Sequence, residues 1–299
     1  METAKIAGIP TGLPVDMPKA WFVALAALSK SATPKRVREN SRSDHPLIAP
    51  AIRKNRPNDV LLSYGAYANA GEGVEHGEHL FARGVWCGTG EPFDESLVSE
   101  DVTHAWLHGD RPLHPRQGET RPFTGEFADR PAAYSWCKAP RYGGQVVETG
   151  ALARQMVAGQ PLLRSLVATD GGSVLARVVA RLLELAVVVP AMERWLRALT
   201  PGEAFCGQCE LPDQASACGL VEAARGALGH WLRIERGKVA GYQIIAPTTW
   251  NFSPRDAAGV PGALEQALVG LPVGEGERTP LAVQHVVRSF DPCVVCTVH

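Results

Sequence analysis

Apolar positions take on a sustained helical period in the middle of the chain. Over residues 174–199, Val178, Leu182, Leu185 and Val189 recur at spacings of three and four, while Arg177, Arg181 and Glu184 share another face. That pattern predicts one long helix whose apolar faces are core. Pro190 falls inside it and predicts a kink, because proline lacks the amide that the helical ladder uses. An earlier helix is expected over 148–168, broken at Gly159-Gln160-Pro161. Over 228–245 the period shortens to that of a strand, with Trp231, Leu232 and Ile234 before Arg236-Gly237 and Val239, Tyr242 and Ile244 after it. This reads as a β-hairpin. Short helices are expected over 263–269 and 280–290, the second leading into the last cysteines. Residues 60–145 are dense in Gly, Pro, His and Trp without sustained period, which predicts a long irregular region with short strands. The first 60 residues are rich in Pro and Lys/Arg, and 30–42 reads as basic linker or surface. A boundary near Pro57 separates an unassigned segment, 1–55, from a domain over 56–299.

Composition narrows the class. With 299 residues, 45% of them hydrophobic, and a net charge of −1, the chain can bury a substantial core and has no electrostatic reason to seek nucleic acid or a membrane surface. The apolar run at 20–28 is too short to span a bilayer and follows Glu2 and Asp16, so no direct membrane insertion is expected. Seven cysteines without even spacing suggest reduced thiols and metal chemistry, with the cytoplasm as the default compartment. Cys87, Cys137 and Cys218 stand alone beside apolar residues and read as buried structural thiols. Among the histidines His45, His76, His79, His104, His108, His114, His230 and His285, only His76 and His79 have ligand-like spacing.

The richest chemistry lies at the end, where Cys293-Val294-Val295-Cys296 is followed by His299. Cysteines two residues apart put two thiolates within reach of one soft metal ion, and Pro292 restrains the backbone entering the pair. Three explanations stand. A redox pair would need a βαβ context with a helix running on after the motif. A zinc knot could draw on Cys206-Gly207-Gln208-Cys209, at a separation far beyond the roughly 15–20 residues usual for zinc ribbons. The third is a buried soft-metal site completed by residues elsewhere.

Asp291-Pro292-Cys293-x-x-Cys296-x-x-His299 resembles the C-terminal signature of the nickel–iron hydrogenase large subunit. Four upstream blocks resemble the same family in the same order: Ser63-Tyr64-Gly65-Ala66-Tyr67, Lys138-Ala139-Pro140-Arg141-Tyr142, the stretch 222–231 around Arg225-Gly226, and 246–256 from Ala246-Pro247-Thr248 to Pro254-Arg255-Asp256. The resemblance runs from about Arg56 to His299 and is closest to the regulatory, hydrogen-sensing branch. A chain running from Met1 to His299 is what a sensor encoded without a tail, or a matured enzyme, would show.

The resemblance implies an α+β, mainly helical fold: a helix bundle with a peripheral β-hairpin, the N-terminal part of the family fold missing. It implies heterolytic cleavage or sensing of H2 at a nickel–iron centre, with electrons passed to an iron–sulfur small subunit. Cys293 would be a terminal nickel ligand and Cys296 a bridge to an iron carrying cyanide and carbon monoxide. Arg225 would stand over the open metal position, Asp291 would hold Arg225, and Thr248 would donate to a cyanide. His299 and the backbone carbonyl around Ile245 would bind magnesium. Two departures accompany the match. The family's Arg-x-Cys-Gly-x-Cys ligand motif is absent from residues 1–60, and the similar Cys206–Cys209 pair follows the helical region and reads as linker; Ala224 stands where the family usually has proline. Three function classes therefore remain: a hydrogenase large subunit, a non-catalytic scaffold for cofactor assembly, and a truncated inactive fragment.

Overall fold

The computed structural model describes residues 60–68, 79–202 and 212–293. The expectations for 1–55, His76, Cys206, Cys209, Cys296 and His299 lie outside them.

Strand β1 (Leu61–Ala68) is buried over its first six residues, as a strand covered on both faces must be. It pairs antiparallel with β2 (His79–Trp86), and β2 with β3 (Gly90–Glu91). A separate ladder joins β4 (Val98–Asp101) antiparallel to β5 (Ala139–Tyr142). The two-residue β6 (Glu148–Thr149) adds parallel to β1 on its other side, giving the order β3-β2-β1-β6. The region expected to be irregular thus carries two eight-residue strands. Its alternation is hidden because β1 is apolar on both sides.

The expected helix after residue 148 starts slightly later and breaks where the sequence indicated, into α1 (Ala151–Val157) and α2 (Pro161–Asp170). Gly159 takes φ 81 between them, Pro161 opens α2, and the Gln160 side chain accepts from Leu162 N. Ser173 caps α3 (Val174–Ala198) by accepting from Ala176 N at 3.2 Å. α3 continues through Pro190. Its apolar faces are only partly core: Val179, Ala180 and Leu183 are buried, whereas Val178 and Leu185 are exposed among the described residues.

Three strands follow. β7 (Gln214–Ala223) pairs antiparallel with β8 (Gly226–Glu235), which pairs with β9 (Lys238–Ile245). Arg236 and Gly237, at φ 52 and 66, make the positive-φ turn expected between the last two. β7 escaped the sequence reading because it is largely exposed and built of small residues without an apolar–polar alternation. Three short helices complete the described chain: α4 (Pro247–Asn251), α5 (Ala263–Leu268) and α6 (Leu281–Ser289).

Helix and strand occur in nearly equal measure, so "mainly helical" is corrected to mixed helix and strand. Nor is the hairpin peripheral. Ala227, Trp231 and Ile245 are fully buried and share one core with Leu62, Tyr64, Val85 and Trp250. A second core lies among α1, α2, α3 and Leu61, and a third joins α5 and α6 through Leu264, Val286 and Phe290. Instead of forming a bundle by themselves, the helices share their cores with strands: Leu61 of β1 packs among α1, α2 and α3, and Trp250 of α4 packs with Ala227, Trp231 and Ile245 of the three-stranded sheet.

Candidate functional site

Three separated sequence blocks meet at the C-terminal end of α6. Phe290 closes the helix, and Asp291 follows at φ 55, the left-handed conformation common just beyond a helix end but unusual for a residue other than glycine. Its carboxylate faces two guanidinium groups, Arg225 Nε at 3.8 Å and Arg181 Nε at 3.6 Å. All three side chains are partly exposed, so these contacts orient charge more than they stabilise the fold. Two residues later, Cys293 N donates to Thr248 Oγ1 at 3.1 Å. Thr248 is buried in α4, and accepting this bond leaves its hydroxyl hydrogen available to a ligand.

The turn into this site is held from α3. Arg177 Nε and Nη2 reach both Glu148 oxygens at 2.7 and 2.8 Å, and its guanidinium lies 3.7 Å over the Phe290 ring. Arg177 Nη1 also reaches Ser289 Oγ at 3.3 Å, and Arg181 Nη2 donates to Ser289 O at 2.7 Å. Burial lowers the pKa of Arg181, with Asp291 opposing and Arg177 reinforcing the shift.

Arg225 occupies the loop between β7 and β8, where Ala223 opposes Gly226 and only Ala224 and Arg225 lie between. That loop rests against the start of α1. A Cβ on Gly226 would sit 2.6 Å from Thr149 Oγ1, and one on Gly150 would sit 3.2 Å from Arg225 O; close approach requires glycine at 226, and φ 125 favours it at 150. Thr149 in turn exchanges two 3.0 Å bonds with the Asn251 side chain, which ties β6 to α4. Arg225, Thr248, Asp291 and Cys293 are therefore anchored on one connected frame. Ile245, fully buried at the end of β9, lies two residues before α4.

Beneath the loop lies Glu222, whose carboxylate accepts from Tyr64 N at 2.7 Å and from Arg154 Nη1 at 2.7 Å. Burial pushes this carboxyl up to about 7, against the pull of Arg154 and the Tyr64 amide. Glu148 and Arg154 escaped the sequence reading. Their only signal is a pair of charges in an apolar stretch at the opening of a helix.

Among the isolated cysteines, Cys87 is exposed, and Cys137 and Cys218 are half-buried. The buried-thiol expectation is corrected for Cys87, which lies beyond the end of β2. Among the described residues no three His, Cys, Asp or Glu side chains form a metal-binding group. What the described residues offer is one cysteine whose amide is held by a buried hydroxyl, two residues after a carboxylate that faces a guanidinium, with Thr149 Oγ1 buried and without a hydrogen-bond partner behind the loop. A soft thiolate with neighbouring hydrogen-bond donors fits one side of a thiolate-bound metal centre carrying small anionic ligands.

The profile of the nickel-dependent hydrogenases matches residues 50–299. A periplasmic NiFeSe hydrogenase large subunit of Desulfomicrobium baculatum is 36% identical over 259 residues, covering 80% of this chain and 49% of that protein. An uptake hydrogenase large subunit of Rubrivivax gelatinosus is 29% identical over 305 residues, with the same two coverages, 80% and 49%. The solved structure of the H2-activated D. baculatum NiFeSe hydrogenase superposes with a TM-score of 0.74 at 33% identity, covering 94% of this chain and 59% of that one. The reduced NiFeSe hydrogenase of D. vulgaris Hildenborough gives 0.72 at 31%, covering 94% and 60%. The chain spans about half the length of the curated relatives it matches. These relatives are named as NiFeSe and uptake enzymes, and the sensing branch finds no support among them.

Proposed function

Because this chain belongs to the nickel-dependent hydrogenase family, we propose that it supplies the C-terminal portion of a large subunit that splits H2 heterolytically and works with an iron–sulfur small subunit. The observation that carries this reading is the meeting of Arg225, Thr248, Asp291 and Cys293, drawn from three blocks far apart in sequence. Cys293 and Cys296 would hold nickel, with Cys296 also reaching iron, and His299 with the Ile245 carbonyl would hold magnesium. When bound, the nickel–iron centre would supply the soft electrophile that takes the electron pair of the H–H bond.

The protein's own part is then positional and electrostatic. Cys293 Sγ is a base that can hold the released proton. Arg225 would present a rigid, planar guanidinium fork to anionic ligands of the iron or to polarised hydrogen. Asp291 holds that fork in place, and Thr248 contributes its free hydroxyl hydrogen to the same ligands. A cytoplasmic location remains part of the proposal.

Arg225→Lys tests it in the metal-loaded complex. A lysine ammonium is a flexible point charge, so hydrogen–deuterium exchange of H2 should fall by orders of magnitude while nickel and iron content hold. Unchanged exchange would remove Arg225 from the site and leave the scaffold reading.

A further inference from the structure

The two turns of the three-stranded sheet differ in what fixes them. Arg236 and Gly237 both take positive φ, so that two-residue turn is specified by its own sequence. In the turn that carries Arg225, positive φ falls on the following Gly226, at 138, and not on the two loop residues. Among the described residues the only non-glycine positions with positive φ are Tyr67, Arg236 and Asp291, so Ala224 and Arg225 both have negative φ. Two-residue hairpin loops of that hand splay the strands they join and are disfavoured. Alanine and arginine also lack the short polar side chain that would bond back to the turn. Something outside the loop must hold it.

Arg154 is placed to do so. Its side chain is 5% exposed, and each of its five N–H donors has an acceptor. Nε and one Nη2 hydrogen engage Glu184 of α3 at 2.5 and 2.9 Å. The other three go to consecutive residues leading into the loop: Glu222 Oε2 at 2.7 Å, Ala223 O at 3.2 Å and Ala224 O at 3.2 Å. A residue serving only as Glu184's ion-pair partner would use two donors and leave the loop alone. Arg154 instead also holds the Ala223 and Ala224 carbonyls, directly before Arg225.

We propose that Arg154 is the positioning residue for Arg225, fixing the backbone of the β7–β8 loop so that the Arg225 guanidinium faces Asp291. Glu184 orients Arg154 from α3, and Gly150 and Gly226 let the loop approach closely enough to be held. This rests on the reading of Arg225 as the group facing the metal.

The test uses the full chain in its metal-loaded complex, with Arg154→Lys and Glu184→Gln. Lysine cannot reproduce the fork, and glutamine weakens the grip on Arg154 while keeping its shape. Amide hydrogen exchange at residues 224–226 should quicken about tenfold or more in Arg154→Lys and less in Glu184→Gln, with Trp250 and Ile245 amides unchanged. H2 turnover should fall in the same order, with KM for H2 and the nickel and iron content held. Unchanged exchange at 224–226 in a folded Arg154→Lys protein would overturn the proposal and leave the reading of Arg225 standing. Faster exchange with unchanged turnover would support the anchoring and overturn the role given to Arg225. Should Arg154→Lys fail to fold, Glu184→Gln carries the same two readouts.

Discussion

Replacing Arg177 with methionine tests how the end of α6 is held. Arg177 and Glu148 form a two-point ion pair with side chains 3% and 2% exposed. Methionine fills similar space but leaves the Glu148 carboxylate in the interior without its guanidinium. Removing one partner of such a pair costs about 3–5 kcal/mol, because the remaining buried charge loses its two-point guanidinium contact. Loss of the stacking on Phe290 adds about 1 kcal/mol. The expected total, about 4–6 kcal/mol, is a large share of a typical domain's stability. Urea unfolding followed by tryptophan fluorescence should show the midpoint falling sharply at unchanged slope. Adding Glu148→Gln removes the buried charge itself, so the double variant should recover about 2–3 kcal/mol. Because Ser289 and Phe290 lead directly into Asp291 and Cys293, the single variant should also retain less nickel in the complex. A loss below about 1 kcal/mol, or a double variant no more stable than the single one, would refute the argument that this buried pair anchors the site.

Four further outcomes follow from the same geometry. Cys293→Ser and Cys296→Ser should abolish nickel retention, since a neutral hydroxyl does not replace a thiolate on a soft metal, while Cys206→Ser and Cys209→Ser should not; elemental analysis of the complex decides, and equal loss in all four would make the 206/209 pair ligands. Gly226→Ala, which would put a Cβ 2.6 Å from Thr149 Oγ1 at φ 138, should cost about 2 kcal/mol or more, measured by thermal unfolding. Thr248→Val should leave the Cys293 amide without this acceptor and cost about 1–2 kcal/mol, with faster amide exchange at Cys293 as the direct readout. Burial raises the Asp256 carboxyl, but Arg141 and the Val260 and Ala258 amides outweigh it and hold the group below its ordinary value. The folded state therefore binds this proton less readily than the unfolded one, and the stabilisation is present above about pH 4 and lost as pH falls further, so Asp256→Asn should flatten acid unfolding curves.

What the sequence determined by itself is whatever its neighbours in the chain could specify. Gln160 and Ser173 cap their own helices, Gly159 and Pro161 break one, and Arg236-Gly237 closes a hairpin, because each acts within a few residues. The Cys293 motif was legible for the same reason: the spacing of two thiols is itself the chemistry. Tertiary structure decided the rest. Glu148 and Arg154 read as ordinary charges until Arg177, Glu184 and Glu222 arrive from 29, 30 and 68 positions away. Val178 and Leu185 have helical spacing, yet spacing cannot say which apolar face finds a partner, and both remain exposed among the described residues. The helix end gives Asp291 a local reason to take φ 55, but the two arginines that face its carboxylate there come from different elements. Propensity and periodicity are short-range properties of a chain, whereas the placing of Arg225 depends on contacts that exist only once β6, α1 and α3 have packed against the loop.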